Sequence, residues 1–347
     1  MAWLASTLAL LLHCADNLLC SGQTMSAFLF ANLNPDIILD AIESQGIFPS
    51  SGLLALNSYE NRVYQFQADD GLRYVVKFYR PERWTNQQIE EEHQFSLSMA
   101  EVDVPVVAPL VIQGQSLFEY QGWRFAIFPS VGGRSFEVDN LDQLERVGQY
   151  LGRMHQKVGS TLFEHRLSIN TEEMLDQPLS LLRDWLPEGL AVPFFTVAEQ
   201  VAEAAKAAYQ PQSIIRLHGD CHPSNILWRD GPMLVDLDDA RNGPAVQDLW
   251  MMLAGDDNER RLQLEVLLEG YEAFCDFDSR ELALIEPLRA MRMIHYMGWL
   301  ARRWQDAAFQ RAFPWFNSQR YWEEQILALK EQLAALQQAP LSLIPGY

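Results

Sequence analysis

The sequence predicts an α+β protein of two lobes, in which a β-rich lobe precedes a mainly helical one. Apolar residues recur with a period of two within residues 52–128 and with helical spacing within residues 140–336, and a run of proline and paired glycine separates the two regions. At 347 residues the chain is also too long for one small core. We therefore expect a cleft between the lobes, where a ligand can bind.

The β-rich lobe is built around a predicted hairpin. Residues 63–66 and 74–78 alternate as strands do, and Asp69-Asp70-Gly71 between them is a turn signal. In the second strand Val75 and Lys77 share one face, which places a cation on an otherwise apolar strand. We expect this lobe to span residues 25–130, with helices at 35–44 and 85–99 and further strands at 106–107, 116–120 and 124–128.

The helical lobe is expected to span residues 131–347. A hinge is predicted just before it, at Pro129-Ser130-Val131-Gly132-Gly133, because a proline and paired glycines interrupt both regular patterns. Asn140 and Gln143 fit a capping box at the start of the first helix. Further helices are predicted at residues 197–209, 245–254, 259–274, 279–303 and 321–336.

Composition excludes two classes of ligand. The chain has 26 basic and 46 acidic residues, a formal net charge of −20, whereas nucleic acids and anionic membranes both require a basic face. We therefore expect no nucleic-acid partner and no stable membrane association. The cysteines Cys14, Cys20, Cys221 and Cys275 match neither a zinc template nor a disulfide framework, which favours free thiols in a reducing cytoplasm.

Residues 1–24 precede the predicted fold. Much of this segment is apolar, but the first basic residue in the chain is Arg62, whereas a secretory signal carries a positive n-region and a membrane span needs about 20 apolar residues. A second methionine, Met25, opens a more ordinary globular sequence. We expect residues 1–24 to be an extension from an upstream start codon or a disordered tail, with a targeting segment as the alternative.

The strongest chemical signal lies between His218 and Asp236. Asp220 is followed five residues later by Asn225 and then, after a short apolar strand, by Asp236. Phosphoryl transfer requires a positioned hydroxyl, metal ions on the phosphates and charge compensation rather than covalent chemistry by the protein. Asp220 can hold and deprotonate a hydroxyl, and Asn225 and Asp236 offer the oxygen ligands that Mg²⁺ prefers. This pattern therefore predicts Asp220 and Asp236 as catalytic residues and Asn225 and Asp236 as metal ligands.

Other interpretations of the same segment exist. Asp and Asn are common in turns, so the segment could be a turn without metal. His218 and His222 could join Asp236 in a metal site, and Cys221 could be an oxidation sensor. We expect instead that both histidines support the loop, because Mg²⁺ prefers oxygen ligands, and that Cys221 is a buried, unreactive thiol.

The run from His218 to Asn225 resembles the aminoglycoside-phosphotransferase and choline-kinase-like branch of the protein-kinase fold. That branch has His-Gly-Asp where eukaryotic kinases have His-Arg-Asp. Asp236 stands at the metal-binding Asp of the Asp-Phe-Gly equivalent, with Asp238 in place of the glycine, and Asp248 matches the buried Asp that braces the catalytic loop. The resemblance implies a two-lobed protein-kinase-like fold that uses ATP and Mg²⁺.

Four further segments narrow the resemblance to the bacterial stress response kinase A family. They are residues 56–66, 75–84, 128–134 and 236–244. The similarity covers Met25 to Tyr347. It implies a cytoplasmic serine/threonine protein kinase linked to envelope stress and survival, with a protein hydroxyl as acceptor. We expect a monomer.

The β-rich lobe is expected to bind the nucleotide. A lone lysine inside an apolar strand needs an anion, and ATP phosphates would satisfy Lys77, with Glu92 of the next helix holding it in place. Val75 is expected to lie against the adenine. The alternatives are that Lys77 is an edge-strand charge and that Glu92 belongs to a solvated helix face.

The expected phosphate loop, residues 58–62, contains no glycine, unlike the usual Gly-x-Gly-x-x-Gly. Side chains of Ser58 and Asn61, together with turn amides, could replace the glycine backbone as donors. The family resemblance implies that Ser58 contacts ATP. A strand-end cap is the alternative role for Ser58.

Three functions are compatible with these residues. The first is an ATP- and Mg²⁺-dependent serine/threonine protein kinase in a bacterial stress response, which the resemblance favours. The second is a small-molecule kinase for an amino alcohol, a sugar or a homoserine-like hydroxyl, since it would need the same Asp220 and metals. The third is a nucleotide-binding scaffold without catalysis, which the presence of Lys77, Asp220, Asn225 and Asp236 disfavours.

Overall fold

The computed structural model describes Phe30 and residues 32–343 of the chain. The predicted extension at residues 1–24 lies outside the described residues, as do Cys14 and Cys20. Within the described part a β-rich region comes first and a mainly helical region follows, in the predicted order.

A five-stranded antiparallel sheet forms the first region. Its strands are β1 (Leu54–Ala55), β2 (Arg62–Gln67), β3 (Arg73–Phe78), β4 (Phe118–Tyr120) and β5 (Trp123–Pro129), in the spatial order β1-β2-β3-β5-β4. The register places Lys77 between Val63 on β2 and Ala126 on β5. Lys77 therefore lies on the central strand, and its interpretation as an edge-strand charge is wrong.

The predicted hairpin between β2 and β3 is confirmed. Gly71 has a φ of +81°, a left-handed conformation that favours glycine, and the N–H of Leu72 donates to Asp70 Oδ1 at 2.8 Å. The strand predicted at residues 106–107 is not a full strand. Val106 forms only an isolated parallel bridge with Leu234, which ties this segment to the second half of the chain.

Two helices accompany the sheet, α1 (Pro35–Glu43) and α2 (Asn86–Glu101). The N-cap predicted for α2 is confirmed. Thr85 Oγ1 accepts from the N–H of Gln88, and Gln88 Oε1 accepts from the N–H of Thr85. The C-terminal half of α2 buries Phe95 and Met99 in the core of the helical region. The helix therefore joins the two regions.

The helical region contains eight α-helices among the described residues. They are α3 (Leu141–Val158), α4 (Gln177–Leu182), α5 (Glu188–Ala208), α6 (Gln247–Trp250), α7 (Asp257–Glu272), α8 (Ile285–Arg303), α9 (Ala307–Ala312) and α10 (Gln319–Leu336). The helix expected at residues 197–209 begins at Glu188, and that expected at 245–254 is a single turn. Asn140 caps α3, but the predicted capping box is incomplete, since Gln143 accepts from the N–H of Glu137 instead.

Two small sheets flank the two connections that carry the predicted site. One has the order β6-β8-β9 and contains β6 (Arg134–Ser135), β8 (Ile226–Trp228) and β9 (Pro232–Leu234); the other pairs β7 (Ile215–Leu217) with β10 (Arg241–Gly243). Residues 218–225 connect β7 to β8, and residues 235–240 connect β9 to β10. The two connections that carry the predicted site therefore start and end in these sheets.

Apolar packing divides the described residues into two main cores. The larger lies among the helices, where Phe194 and Trp322 meet edge to face at 5.5 Å. The second lies between α1 and the five-stranded sheet and contains Ile42, Val76 and Phe78. Of the helices described, none combines the length and the hydropathy that crossing a bilayer requires.

Candidate active site

One buried carboxylate fixes the loop that follows β7. Asp248 on α6 is fully buried, and its two oxygens accept from the N–H groups of His218 and Gly219, both at 2.8 Å. His155 Nε2 lies 3.1 Å from Asp248 Oδ2. Charge-assisted bonds to a buried carboxylate are stronger than neutral ones, so Asp248 holds the loop backbone in one position. The prediction that Asp248 braces this loop is confirmed.

The loop also needs glycine at position 219. Gly219 has a φ of +82°, and a Cβ there would lie 2.2 Å from the carbonyl oxygen of Asp239. Any larger residue would push the two connections apart. Gly219 therefore allows the loop that carries Asp220 to lie directly against the segment that carries Asp236.

Asp220 and Asn225 lie at the two ends of this loop and contact each other. Asn225 Nδ2 donates to the Asp220 carbonyl at 3.0 Å, and no described residue donates to Asn225 Oδ1. Asp220 Oδ2 lies 3.4 Å from His222 Nε2, and Asp220 Oδ1 lies 2.6 Å from Arg292 Nη1. Burial alone would raise the pKa of Asp220, but Arg292, His222 and His218 together hold this pKa well below its usual range.

Asp236 projects from a strained turn at the end of β9. Its backbone is left-handed, with φ 60° and ψ 68°, and its side chain is 59% exposed. This backbone conformation is uncommon for a non-glycine residue, although aspartate adopts it more readily than most. The N–H of Val235 donates to the Asn225 carbonyl at 3.0 Å. Asp236 therefore directly follows a residue that is hydrogen-bonded to the backbone of Asn225.

Lys77 extends from the five-stranded sheet toward Asp236. Its Nζ lies 3.5 Å from Glu92 Oε1 and 3.9 Å from Asp236 Oδ1, so Lys77 joins the helix α2 to the segment after β9. The nearest carboxylate is a third one, Asp238 Oδ1, at 2.7 Å. Burial would lower the pKa of Lys77, but Asp238 and Glu92 hold it well above its ordinary value, so Lys77 is a cation.

The residue in place of the glycine, Asp238, is the centre of a buried ionic cluster. It accepts from Arg83 Nη1 and, at 2.8 Å, from Asn61 Nδ2. Burial would raise the pKa of Asp238, but Lys77 and Arg83 hold it far below its usual range. Five carboxylates face four cations in this cluster: Glu92, Asp236, Asp238, Asp239 and Glu173 against Lys77, Arg83, Arg166 and Arg241. The two most buried carboxylates, Glu92 and Asp238, each contact two cations, which makes their burial tolerable.

Arg166 joins the two sides of this cluster. Its guanidinium donates to the carbonyls of Gln88, Asp238 and Ala240 and lies 3.4 Å from Glu92 Oε2. Glu91, one residue before Glu92, accepts from the backbone N–H groups of residues 164–166 and thereby positions Arg166. The helix α2 and the segment after Asp236 are therefore held at a fixed distance through one buried side chain.

The expected phosphate loop closes on itself. Ser58 Oγ accepts from the N–H of Asn61 at 3.3 Å, a bond within the turn. The side chain of Asn61, a predicted phosphate donor, already donates from Nδ2 to Asp238 Oδ2 at 2.8 Å, and its Oδ1 accepts from the N–H of Arg80 at 3.0 Å. Val75, half-buried on β3, pairs with Phe128 directly before the predicted hinge.

Glu60 fastens the same loop to the helical region. Its Oε1 accepts from Trp299 Nε1 at 2.6 Å and from Arg303 Nε at 2.9 Å, and both donors lie on α8. Arg80 Nε lies 3.6 Å from the second oxygen of Glu60. Residues 58–61 are therefore anchored to α8 by a buried carboxylate.

A magnesium ion that arrives with a nucleotide fits these residues. Mg²⁺ takes most of its ligands from phosphates and water and needs only one or two protein oxygens. Asn225 Oδ1 and the exposed carboxylate of Asp236 are such a pair. The described residues contain no cluster of three or more His, Cys, Asp or Glu side chains suited to a metal. His218 Nε2 lies 3.0 Å from the Val235 carbonyl, so it supports the loop.

Cys221 is buried beside Asp220. Burial, with Asp248 and Asp220 nearby, raises the pKa of its thiol well above the usual value. A thiol that stays protonated reacts slowly with oxidants. The expectation that Cys221 is buried is confirmed, and the raised pKa supports the expected low reactivity.

Sequence reasoning missed several charged residues of this site. Arg83, Arg166, Arg292 and Glu60 are separated from their partners by long stretches of chain. Arg166 lies in an irregular segment and Arg292 on a helix, where an arginine ordinarily indicates a solvated surface. No local pattern distinguishes either arginine, whereas Glu60 and Arg83 fell within segments that supported the family resemblance, residues 56–66 and 75–84.

Comparison with known proteins identifies close relatives. A model of the phosphotransferase enzyme family matches residues 53–285. The chain is 55% identical over 325 residues to "Stress response kinase A" of Escherichia coli (strain K12), covering 93% of this chain and 99% of that protein. It is 52% identical over 325 residues to "Serine/threonine protein kinase RdoA" of Salmonella typhimurium (strain LT2), with the same coverage.

Solved structures share the fold at much lower identity. A microcompartment-associated aminopropanol kinase matches with a TM-score of 0.66 and 16% identity, over 90% of this chain and 100% of that one. An amicoumacin kinase in complex with AMP-PNP, Ca²⁺ and Ami matches with a TM-score of 0.65 and 17% identity, over 84% of this chain and 89% of that one. The predicted two-lobed kinase-like fold is confirmed.

Proposed function

The chain belongs to the phosphotransferase enzyme family and to its stress response kinase A group, and we propose that it transfers the γ-phosphoryl group of ATP, with Mg²⁺, to serine or threonine hydroxyls of a protein. One observation carries the assignment of the site. Lys77 Nζ lies within 3.9 Å of both Glu92 and Asp236, and Asp220 and Asn225 lie on the adjoining loop. Phosphoryl transfer requires these groups in one place.

On the nucleotide side, Lys77 is proposed to contact the phosphates and Glu92 to keep it in position. Ser58 and the turn amides beside it would bind phosphate oxygens, and Val75 would lie against the adenine. Lys77 is buried and held as a cation by Asp238 and Glu92, so a phosphate that contacts its Nζ would share this charge with two carboxylates in a region from which water is largely excluded. The kinase family and the fold support use of a nucleotide.

Asn225 and Asp236 are proposed to hold Mg²⁺. A magnesium ion held by these two side chains would supply charge compensation for the phosphates. The exposed carboxylate of Asp236 faces Lys77 at 3.9 Å, and Asn225 keeps Oδ1 free by using Nδ2 on the Asp220 carbonyl. Both side chains are therefore oriented before any ligand binds.

Asp220 is proposed to orient the acceptor hydroxyl and receive its proton. A bond forms between the acceptor oxygen and the γ-phosphorus, the bond from that phosphorus to the β–γ bridging oxygen breaks, and ADP leaves with that electron pair. The low pKa of Asp220 makes it a weak base, which suits a loose transition state in which positioning matters more than proton abstraction.

A protein acceptor is favoured over an amino alcohol by the charge beside Asp220. The carboxylate that would meet the acceptor is paired with Arg292, a cation. An amine on the acceptor would add a second positive charge there.

The relatives named as a stress response kinase and as a serine/threonine protein kinase match over nearly their whole length, which supports a protein acceptor and a role in stress response. We also propose that the protein is a cytoplasmic monomer with one lobe at residues 25–130 and the other at residues 131–347.

A direct assay tests the acceptor class. Purified protein with labelled ATP and Mg²⁺ is incubated with a serine- and threonine-containing peptide library and, separately, with aminopropanol, a sugar and homoserine. We expect label in the peptides, and in the chain itself if it autophosphorylates, and none in the small alcohols. Label confined to a small alcohol would replace the protein-kinase proposal with a small-molecule kinase.

Substitution of Arg166 tests the part of the site that is proposed to bind the nucleotide. We expect Arg166→Ala to lower kcat by about 10- to 100-fold, because truncating one partner of a buried charge network costs about 3–5 kcal/mol, part of which is felt as misplacement of Glu92 and Asp236. Arg166→Lys should recover little, since one ammonium cannot reproduce four contacts. Steady-state kinetics at saturating ATP measure this change in kcat.

Arg134→Ala, at an exposed position, serves as a control and should match the wild type. Wild-type kcat in Arg166→Ala would show that the cluster does not depend on this residue.

A further inference from the structure

We propose that Arg292 determines acceptor specificity by selecting serine or threonine residues that are flanked by acidic side chains. The inference rests on the proposed protein-kinase function and names the acceptor class of that same site. It depends on where Arg292 lies, on what it contacts and on the charges around it.

Arg292 covers the oxygen that an acceptor hydroxyl would need. Its Nη1 lies 2.6 Å from Asp220 Oδ1, while the other oxygen, Oδ2, faces His222 at 3.4 Å and Asn225 at 3.5 Å. Both oxygens of Asp220 are therefore engaged in the protein without acceptor. A hydroxyl can reach Oδ1 only if the guanidinium moves away or shares this oxygen.

Arg292 is free to exchange its partner. Its side chain is 41% exposed, and its ion pair within the described part of the chain is with Asp220. A guanidinium carries five N–H donors, so several remain for an incoming anion. A carboxylate next to the acceptor hydroxyl would take over Arg292 and release Oδ1 of Asp220 at the same moment. An acceptor without that carboxylate would leave Arg292 on Asp220.

The charges around Arg292 favour an anion as well. Arg302, ten residues further along α8, is exposed and forms no hydrogen bond or ion pair with a described residue. Two other acidic residues, Asp239 and Glu173, face Arg241 at 2.9 Å and 3.9 Å. His295, between Arg292 and Arg302 on the helix, is kept neutral by burial and by Arg241, which lower its pKa to about 4. Arg292 and Arg302 thus offer two exposed cations to an incoming anion in a chain whose formal net charge is −20.

A series of three peptides tests the inference. They share one sequence with a single serine and carry Glu, Ala or Lys at both neighbouring positions. We expect the wild type to prefer the Glu peptide over the Ala peptide by about tenfold in kcat/KM, as one charge-assisted contact allows, and the Lys peptide to be the poorest. Arg292→Ala should reduce this preference to less than about twofold with the KM for ATP unchanged, and Arg292→Lys should keep part of it.

Arg280→Ala is a matched control. Arg280 also lies 2.6 Å from an aspartate, Asp278, in the same region but away from the site, and its side chain is 75% exposed. This variant should keep the wild-type preference. If Arg292→Ala fails to fold, the wild-type series and Arg292→Lys decide.

The outcomes separate the two proposals. Equal kcat/KM for the three peptides in the wild type, or an unchanged Glu preference in Arg292→Ala, overturns the role of Arg292 and leaves the kinase proposal intact. Phosphorylation of a small alcohol with none of any peptide overturns the proposed function and the inference together.

Discussion

Asp220→Asn is expected to lower kcat by about 10²–10⁴-fold, because general acid–base groups contribute that much and the amide can neither accept the hydroxyl proton nor pair with Arg292. ATP should still bind with little change, since no proposed nucleotide contact involves Asp220. Transfer to peptide is measured by steady-state kinetics, and binding of a non-hydrolysable ATP analogue by calorimetry.

Asp230→Asn is the matched control for this change. Asp230 lies on the exposed turn between β8 and β9 with a φ of 60°, a conformation that asparagine also adopts readily, so the variant should behave as the wild type. Transfer by Asp220→Asn at a tenth or more of the wild-type rate would show that another group positions the hydroxyl.

Asp236→Asn is expected to have an effect of similar size through the metal. A neutral amide binds Mg²⁺ more weakly than a carboxylate, and metal ions supply several kcal/mol of charge stabilisation in the transition state, which corresponds to about 10²–10⁴-fold in rate. We expect the Mg²⁺ concentration for half-maximal activity to rise well above the wild-type value, with low activity even at saturation.

A magnesium titration of activity measures this directly. Chelation with EDTA should abolish transfer by the wild type and added Mg²⁺ should restore it, and Asp230→Asn should reproduce the wild-type curve. A titration curve for Asp236→Asn that coincides with the wild-type curve would remove Asp236 from the metal site.

Local patterns in the sequence predicted the parts of the fold that depend on neighbouring residues. The hairpin with Gly71 and the N-cap of α2 at Thr85 both follow from residues within four positions of each other. The family resemblance carried by the motif from His218 to Asn225 predicted that Asp248 would be buried and would brace this loop.

The ionic cluster could not be predicted in the same way. Arg166 meets Glu92 across 74 residues and Arg292 meets Asp220 across a similar distance, and such contacts depend on how the whole chain packs. Asp238 was recognised as a departure from glycine, but nothing in its neighbourhood indicated that it would be the nearest carboxylate to Lys77. Gln143 fitted a capping box, but its amide oxygen accepts from Glu137 instead.

The most direct measurement is a crystal structure of the full chain with a non-hydrolysable ATP analogue and Mg²⁺. We predict an ion bound by Asn225 Oδ1, by the carboxylate of Asp236 and by phosphate oxygens at about 2.0–2.1 Å, with Lys77 on the phosphates and Asp220 facing the γ-phosphate. A nucleotide bound elsewhere, or bound there with no ion contacting Asn225 or Asp236, would contradict the account.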